Sequence, residues 1–86
     1  MNCLQIMAVR LGQREKTAIE VQKVLTDFGC SIRTRLGLHD QPADNACSPQ
    51  GLLLLQLCCD DDTSKALETK LNSIEDVKAR LVNLAD

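Results

Sequence analysis

Apolar and polar positions along the chain follow two periods, and the changes between them mark six elements. From Asn2 to Leu11 the period is two, and apolar residues fill both sides of it. Leu4, Ile6 and Ala8 lie on one side; Cys3, Met7 and Val9, with Gln5, lie on the other. A strand apolar on both sides belongs between neighbours in a sheet, and Gly12-Gln13 ends it. From about Arg14 to Phe28 the period is helical: Ala18, Val21, Val24, Leu25 and Phe28 share a stripe opposite Glu20, Gln22, Lys23 and Asp27. Thr17 and Glu20 have the spacing of a capping box, although Arg14, Glu15 and Lys16 before them are helix formers too. Gly29 stands where a helix stops at C′.

Ile32, Thr34, Leu36 and Leu38 then alternate with Arg33, Arg35, Gly37 and His39, the pattern of a half-buried strand. Asp40 to Gln50 holds Pro42 and Pro49 among Asp, Asn and Ser, so it reads as a loop, long for a hairpin. Gly51 to Cys59 is the most apolar run and predicts the next strand. Asp61 or Asp62, followed by Thr63 and Ser64, is the expected N-cap of a second helix with Leu67, Leu71 and Ile74 on its stripe and Ala66 beside it. Val77, Ala79 and Leu81 alternate with Lys78, Arg80 and Val82 in a last strand to about Leu84.

The order β-α-β-β-α-β predicts an α+β fold: a ferredoxin-like βαββαβ sandwich with a four-stranded antiparallel sheet and two helices on one face. Right-handed crossovers put the first and third strands at its centre. The 86 residues make one domain, 1–86. The expected core is Leu4, Ile6, Ala8, Ile32, Leu36, Leu38, Leu53, Leu55, Leu57, Val77, Ala79 and Leu81. Cys3, Gln5, Met7, Val9, Leu52, Leu54, Gln56 and Cys58 then lie in the middle of the open face, with Arg33, Arg35, His39, Lys78 and Arg80 toward its edges. Such an apolar open face predicts a homo-oligomer, dimer or tetramer, whose interface is Cys3, Gln5, Met7, Val9, Leu52, Leu54 and Gln56.

Composition narrows the function. One Phe and no Tyr or Trp remove the usual material for stacking bases, and a net charge of −2 gives no footprint for nucleic acid. No stretch approaches the ~20 apolar residues of a membrane span, and the start of the chain has no basic region of a signal peptide. A cytoplasmic protein is expected. The five cysteines show no framework spacing; free and mostly buried thiols are expected, with the neighbours Cys58 and Cys59 not bonded to each other.

Chemistry concentrates around the long loop. His39, Asp40 and Cys47 are the one cluster with metal-ligating donors, suited to nickel, zinc or iron, but three donors do not close a tetrahedral site without another subunit. Arg33 and Arg35, two apart on a strand, are placed to grip an anionic effector or to pair with acids across strands. Gly37 between Arg35 and His39 allows close approach by a ligand or another chain, or marks a bulge. No nucleophile and base stand at a telling spacing, so no enzyme is expected.

The run Ile32-Arg33-Thr34-Arg35-Leu36-Gly37-Leu38-His39-Asp40, followed by Cys47-Ser48-Pro49-Gln50-Gly51-Leu52, resembles the iron-only hydrogenase system regulators. These are small stand-alone proteins of the ACT-like ferredoxin fold, related to the C-terminal effector domain of the nickel-responsive repressor. The resemblance implies a regulatory or ligand-sensing domain that works as an oligomer, with a small effector or a partner protein. It implies no established cofactor. Cys47 matches a cysteine that ligates nickel in the repressor, but Arg35 and Gly37 stand where its histidines would be wanted, and His39 lies further along. The alternative expectation is a metal sensor using His39 and Cys47 at a subunit interface.

Overall fold

The computed structural model describes residues 2–12, 15–38 and 51–85. In chain order these form strand β1 (Asn2–Leu11), helix α1 (Glu15–Asp27), a 3-10 turn (Gly29–Ser31), β2 (Ile32–Leu38), β3 (Gly51–Cys59), α2 (Asp61–Asn72) and β4 (Val77–Asn83). The four strands make one antiparallel sheet in the order β2-β3-β1-β4. The fold is the expected βαββαβ sandwich, and the two strands apolar on both sides, β1 and β3, occupy its centre.

The helices cover one face. Beneath them Met7, Val9, Leu55, Leu57 and Ala79 from the sheet meet Val21 and Leu25 of α1 and Leu67, Leu71 and Ile74 at α2, all buried. Leu11, Ile32, Leu53, Val77 and Leu81 pack at the margin of this core. The expected core holds on β3 and β4 and is inverted on β1: Gln5, Met7 and Val9 face the helices with no exposure at all, whereas Leu4 and Ile6 are exposed on the other side. Because the side-chain period is two, choosing the wrong half of β1 turns the whole strand over. Apolarity on both sides left hydrophobicity nothing to choose with.

What selects the observed side is a polar cluster. Gln5 Nε2 donates to Asp61 Oδ1 at 2.7 Å, and the Ser64 hydroxyl donates to Gln5 Oε1. With that proton committed, the Cys59 thiol is the donor to Ser64 Oγ at 3.1 Å. Among the described residues no buried side-chain nitrogen or oxygen is left without a partner. Gln5 is thus tolerable under α2 because the first turn of that helix supplies its bonds.

Strand β2 is turned as well. A bulge sets Ile32 and Arg33 against the single residue Leu57 before pairing resumes with Thr34 opposite Gln56. Downstream of it Arg35 and Gly37 align with Leu55 and Leu53 on the helix side, and Leu36 lies on the open side, 51% exposed, not in the core. α1 begins at Glu15, as the helix-forming run Arg14-Glu15-Lys16 allowed, so of the two starts the capping box at Thr17 is the one that fails: Thr17 lies inside the helix, buried, its hydroxyl 3.5 Å from the Glu75 carbonyl. Ala18 and Ala66 are exposed. Two further helix-end expectations change. Gly29 has no positive φ and continues into the 3-10 turn. The N-cap of α2 is Asp60, whose Oδ1 accepts from Thr63 N at 2.8 Å.

Candidate functional site

Register places the open-face side chains in rows across β2, β3, β1 and β4. One row is Thr34, Gln56, Ile6 and Val82, and the next is Leu36, Leu54, Ala8 and Arg80. The third pairs Leu52 with Arg10 and Arg10 with Lys78. Leu4, Ile6, Leu36, Leu52, Val82 and Leu84 are all exposed large apolar residues. Among the described residues no helix lies over them. Of the interface expected on this face, Leu52, Leu54, Gln56 and Cys3 are on it. Gln5, Met7 and Val9 are not: they are sealed beneath the helices, and Leu4, Ile6 and Ala8 stand in their places.

The charges on the sheet are of one sign. Arg10, Arg33, Arg35, Lys78 and Arg80 lie on strands, and no strand carries an acid. Lys78 and Arg10 are directly opposite, with Arg80 one row away, so exposed cations gather at the β1–β4 corner of the open face. A net charge of −2 conceals this, because the acids among the described residues sit on the helices, their ends and the turns.

At the other end of that face a second bulge shapes β1. Asn2 pairs with Cys59 and Gln5 with Leu57, leaving Cys3 and Leu4 opposite Cys58. The bulge brings Cys3 and Cys58 together as a disulfide, 55 residues apart in sequence. This corrects the expectation of free and mostly buried thiols: Cys59 is free and buried, and Cys30 is free and exposed. Arg33 Nη1 approaches Cys3 Sγ at 4.0 Å, and Gln56 Nε2 donates to the Cys3 carbonyl at 3.1 Å while its Oε1 accepts from Thr34 Oγ1, also at 3.1 Å. A groove of about 260 Å³ runs beside them, lined by Cys3, Leu4, Ile6, Gln56 and Leu84.

Arg33 and Arg35, expected as an anion grip, turn to different partners. Arg33 reaches Cys3, whereas Arg35 Nη2 donates to Gln22 Oε1 of α1 at 3.2 Å, because the bulge between Ile32 and Thr34 separates their sides. Gly37 packs no side chain of its own, and a Cβ there would meet Leu53 at an ordinary 3.5 Å. His39, Asp40 and Cys47 lie outside the described residues. Among the described residues no three His, Cys, Asp or Glu side chains are grouped to hold a metal ion, and no helix is long and apolar enough to cross a membrane. The disulfide and the basic corner were missed in the sequence, since each depends on which residues the register sets side by side.

The chain matches no family model and no curated protein. Among solved structures it is similar to the uncharacterized protein TM1266 from Thermotoga maritima, with 30% identity over 93% of this chain and 94% of that one and a TM-score of 0.79. The ACT domain of GTP pyrophosphokinase from Chlorobium tepidum superposes with a TM-score of 0.72 at 17% identity, over 95% of this chain and 100% of that domain. The regulatory subunit of aspartate kinase from Thermus thermophilus gives 0.55 at 15% identity, over 94% of this chain and 52% of that one. The last two share the fold. Identity and near-complete mutual coverage together place this chain in the same family as TM1266, on an ACT-like ferredoxin fold.

Proposed function

We propose that the protein is a small regulatory, ligand-sensing domain that works as a homo-oligomer, its open sheet face closing against a second copy. The observation that carries this is the open face, where Ile6, Val82, Leu36 and Leu52 stand exposed in adjoining rows, with Leu4 and Leu84 exposed beside Ile6. Monomeric proteins seldom leave such a contiguous apolar surface to water. A second copy is favoured as the occupant because the patch is centred on β1 and β3, leaving Arg10, Lys78 and Arg80 at one side as a polar rim. The ACT domain and the regulatory subunit that share this fold support a regulatory rather than catalytic role. The resemblance of 32–40 and 47–52 to the iron-only hydrogenase system regulators supplies the narrower proposal, control of that system through a small effector or a partner protein.

Native mass spectrometry of untagged protein tests the proposal. The expected spectrum shows two or four copies, with a small effector retained or added from a metabolite extract. A monomer that retains no ligand contradicts it. Metal analysis of the same preparation, followed by nickel, zinc and iron titration, separates this reading from a metal sensor at His39 and Cys47.

A further inference from the structure

We propose that Cys3 and Cys58 form a thiol–disulfide exchange site, at which a dithiol attacks Cys58 and releases Cys3 as a thiolate beside Arg33. Three observations converge on it. The β1 bulge places the two sulfurs on the open face and bonds them. In the single subunit both residues are only half-buried, so a reductant reaches them while the open face is uncovered, whereas Cys59 is buried on the opposite side of β3. The guanidinium of Arg33 lies 4.0 Å from Cys3 Sγ. A cation beside one sulfur favours its thiolate, and the sulfur with the more stable thiolate leaves more readily. The asymmetry assigns the roles: Cys58 is attacked, and Cys3 departs. The groove beside Cys3, Leu4 and Ile6 gives the released side chain room to turn.

The step balances in two stages. A thiolate of the dithiol forms a bond to Cys58 Sγ as the Cys3–Cys58 bond breaks, and the electron pair of that bond goes to Cys3 Sγ. The second thiol of the reductant then loses its proton, closes on the first sulfur and expels Cys58 as a thiolate. The dithiol is oxidised by two electrons to its disulfide. The protein pair is reduced by the same two electrons, and the two protons lost by the dithiol are made up on Cys3 and Cys58 from solvent. Arg33 is a positioning residue: it holds charge beside the leaving sulfur and forms no bond in the reaction.

The test uses the intact chain, oxidised with glutathione disulfide and then treated with dithiothreitol or with glutathione. Free thiols are trapped at intervals by iodoacetamide, and fragment mass spectrometry locates each label. Cys3–Cys58 is expected to form on oxidation. In early glutathione samples the mixed disulfide is expected on Cys58, with iodoacetamide on Cys3. Arg33→Met should slow reduction by dithiothreitol about three- to tenfold, and Arg33→Lys should restore most of the rate. Failure of the pair to form after oxidation, glutathione captured on Cys3, or an Arg33→Met rate equal to the wild type would each overturn the proposal. Adduct mapping needs no variant, so it decides even where a substituted chain folds poorly.

Discussion

Gly12 and Asp76 meet where β1 ends and where the chain enters β4. Gly12 N donates to the Asp76 carbonyl at 3.0 Å, and Asp76 holds a φ of 72°, in the left-handed region that disfavours a side chain. A Cβ on Gly12 would collide with Asp76 Oδ2 and stand 3.3 Å from the Asp76 Cβ. Gly12→Ala should therefore cost about 1–2 kcal/mol in denaturant unfolding, a modest overpacking penalty because the carboxylate can swing aside. Asp76→Gly relieves both the clash and the backbone strain, so in that background the cost of Gly12→Ala should nearly vanish. Equal costs in both backgrounds would contradict the contact. The sequence marks Gly12 only as a strand end. That its partner is a residue more than sixty positions later is invisible to any local pattern.

Gln5 makes the same point from inside the core. As a polar residue in a strand it suggests solvent, yet Asp61 and Ser64 supply bonds to both ends of its amide. Those partners lie in the first turn of α2, far along the chain, and only the tertiary fold brings them there. Local pattern located the strands and both helices; what it lacked was any means of telling which polar residue finds a partner.

Each element has a cause that a measurement can reach. For β1 it is the choice of face. Met7→Ala should cost about 2–5 kcal/mol, as expected for a fully buried side chain, whereas Ile6→Ala on the open face should cost much less in the isolated subunit. The reverse order in chemical denaturation would restore the inverted assignment. For α2 it is the cap. The hydrogen bonds of Thr63, first its side chain and then its backbone N–H, hold the Asp60 carboxyl below its ordinary value of 3.8. A carboxyl whose folded value is depressed contributes stability that is present above the unfolded value and is lost as pH falls through the folded one. Thermal midpoints should thus fall with an Asp60 contribution below pH 3.8, and Asp60→Asn should remove that part of the acid limb while keeping a capping oxygen. An unchanged acid limb in the variant would contradict the cap.

For β4 the cause is charge. Lys78 and Arg10 face each other across the antiparallel pair, an arrangement that costs stability where nothing anionic joins it. Lys78→Glu should stabilise the subunit by about 0.2–1 kcal/mol, and raising salt should narrow the gain. A destabilised variant would show that the corner already has an acidic partner.

At the scale of the molecule, the fold separates what the composition averages. The helix layer carries acids, the sheet carries cations only, and the open side of that sheet exposes its largest apolar side chains together. A thin sandwich of this kind buries one face of its sheet under the helices and leaves the other as the surface on which association is proposed. The sequence shows that β1 and β3 are apolar on both sides, which is enough to foresee an apolar open face. It does not show which half of β1 lies there, nor that a bulge bonds Cys3 to Cys58 at the end of it. The six exposed residues Leu4, Ile6, Leu36, Leu52, Val82 and Leu84 are the consequence, and the account of the protein as a regulatory oligomer stands on them.

Sedimentation velocity across a concentration series tests that account most directly, with the wild type beside a variant carrying Ile6→Asp and Leu36→Asp. Both substitutions fall on exposed side chains, so the subunit should keep its fold by circular dichroism. The account predicts a wild-type dimer or larger assembly at micromolar concentration and a monomer for the variant. A wild-type monomer at tens of micromolar, or a variant that assembles like the wild type, would contradict it.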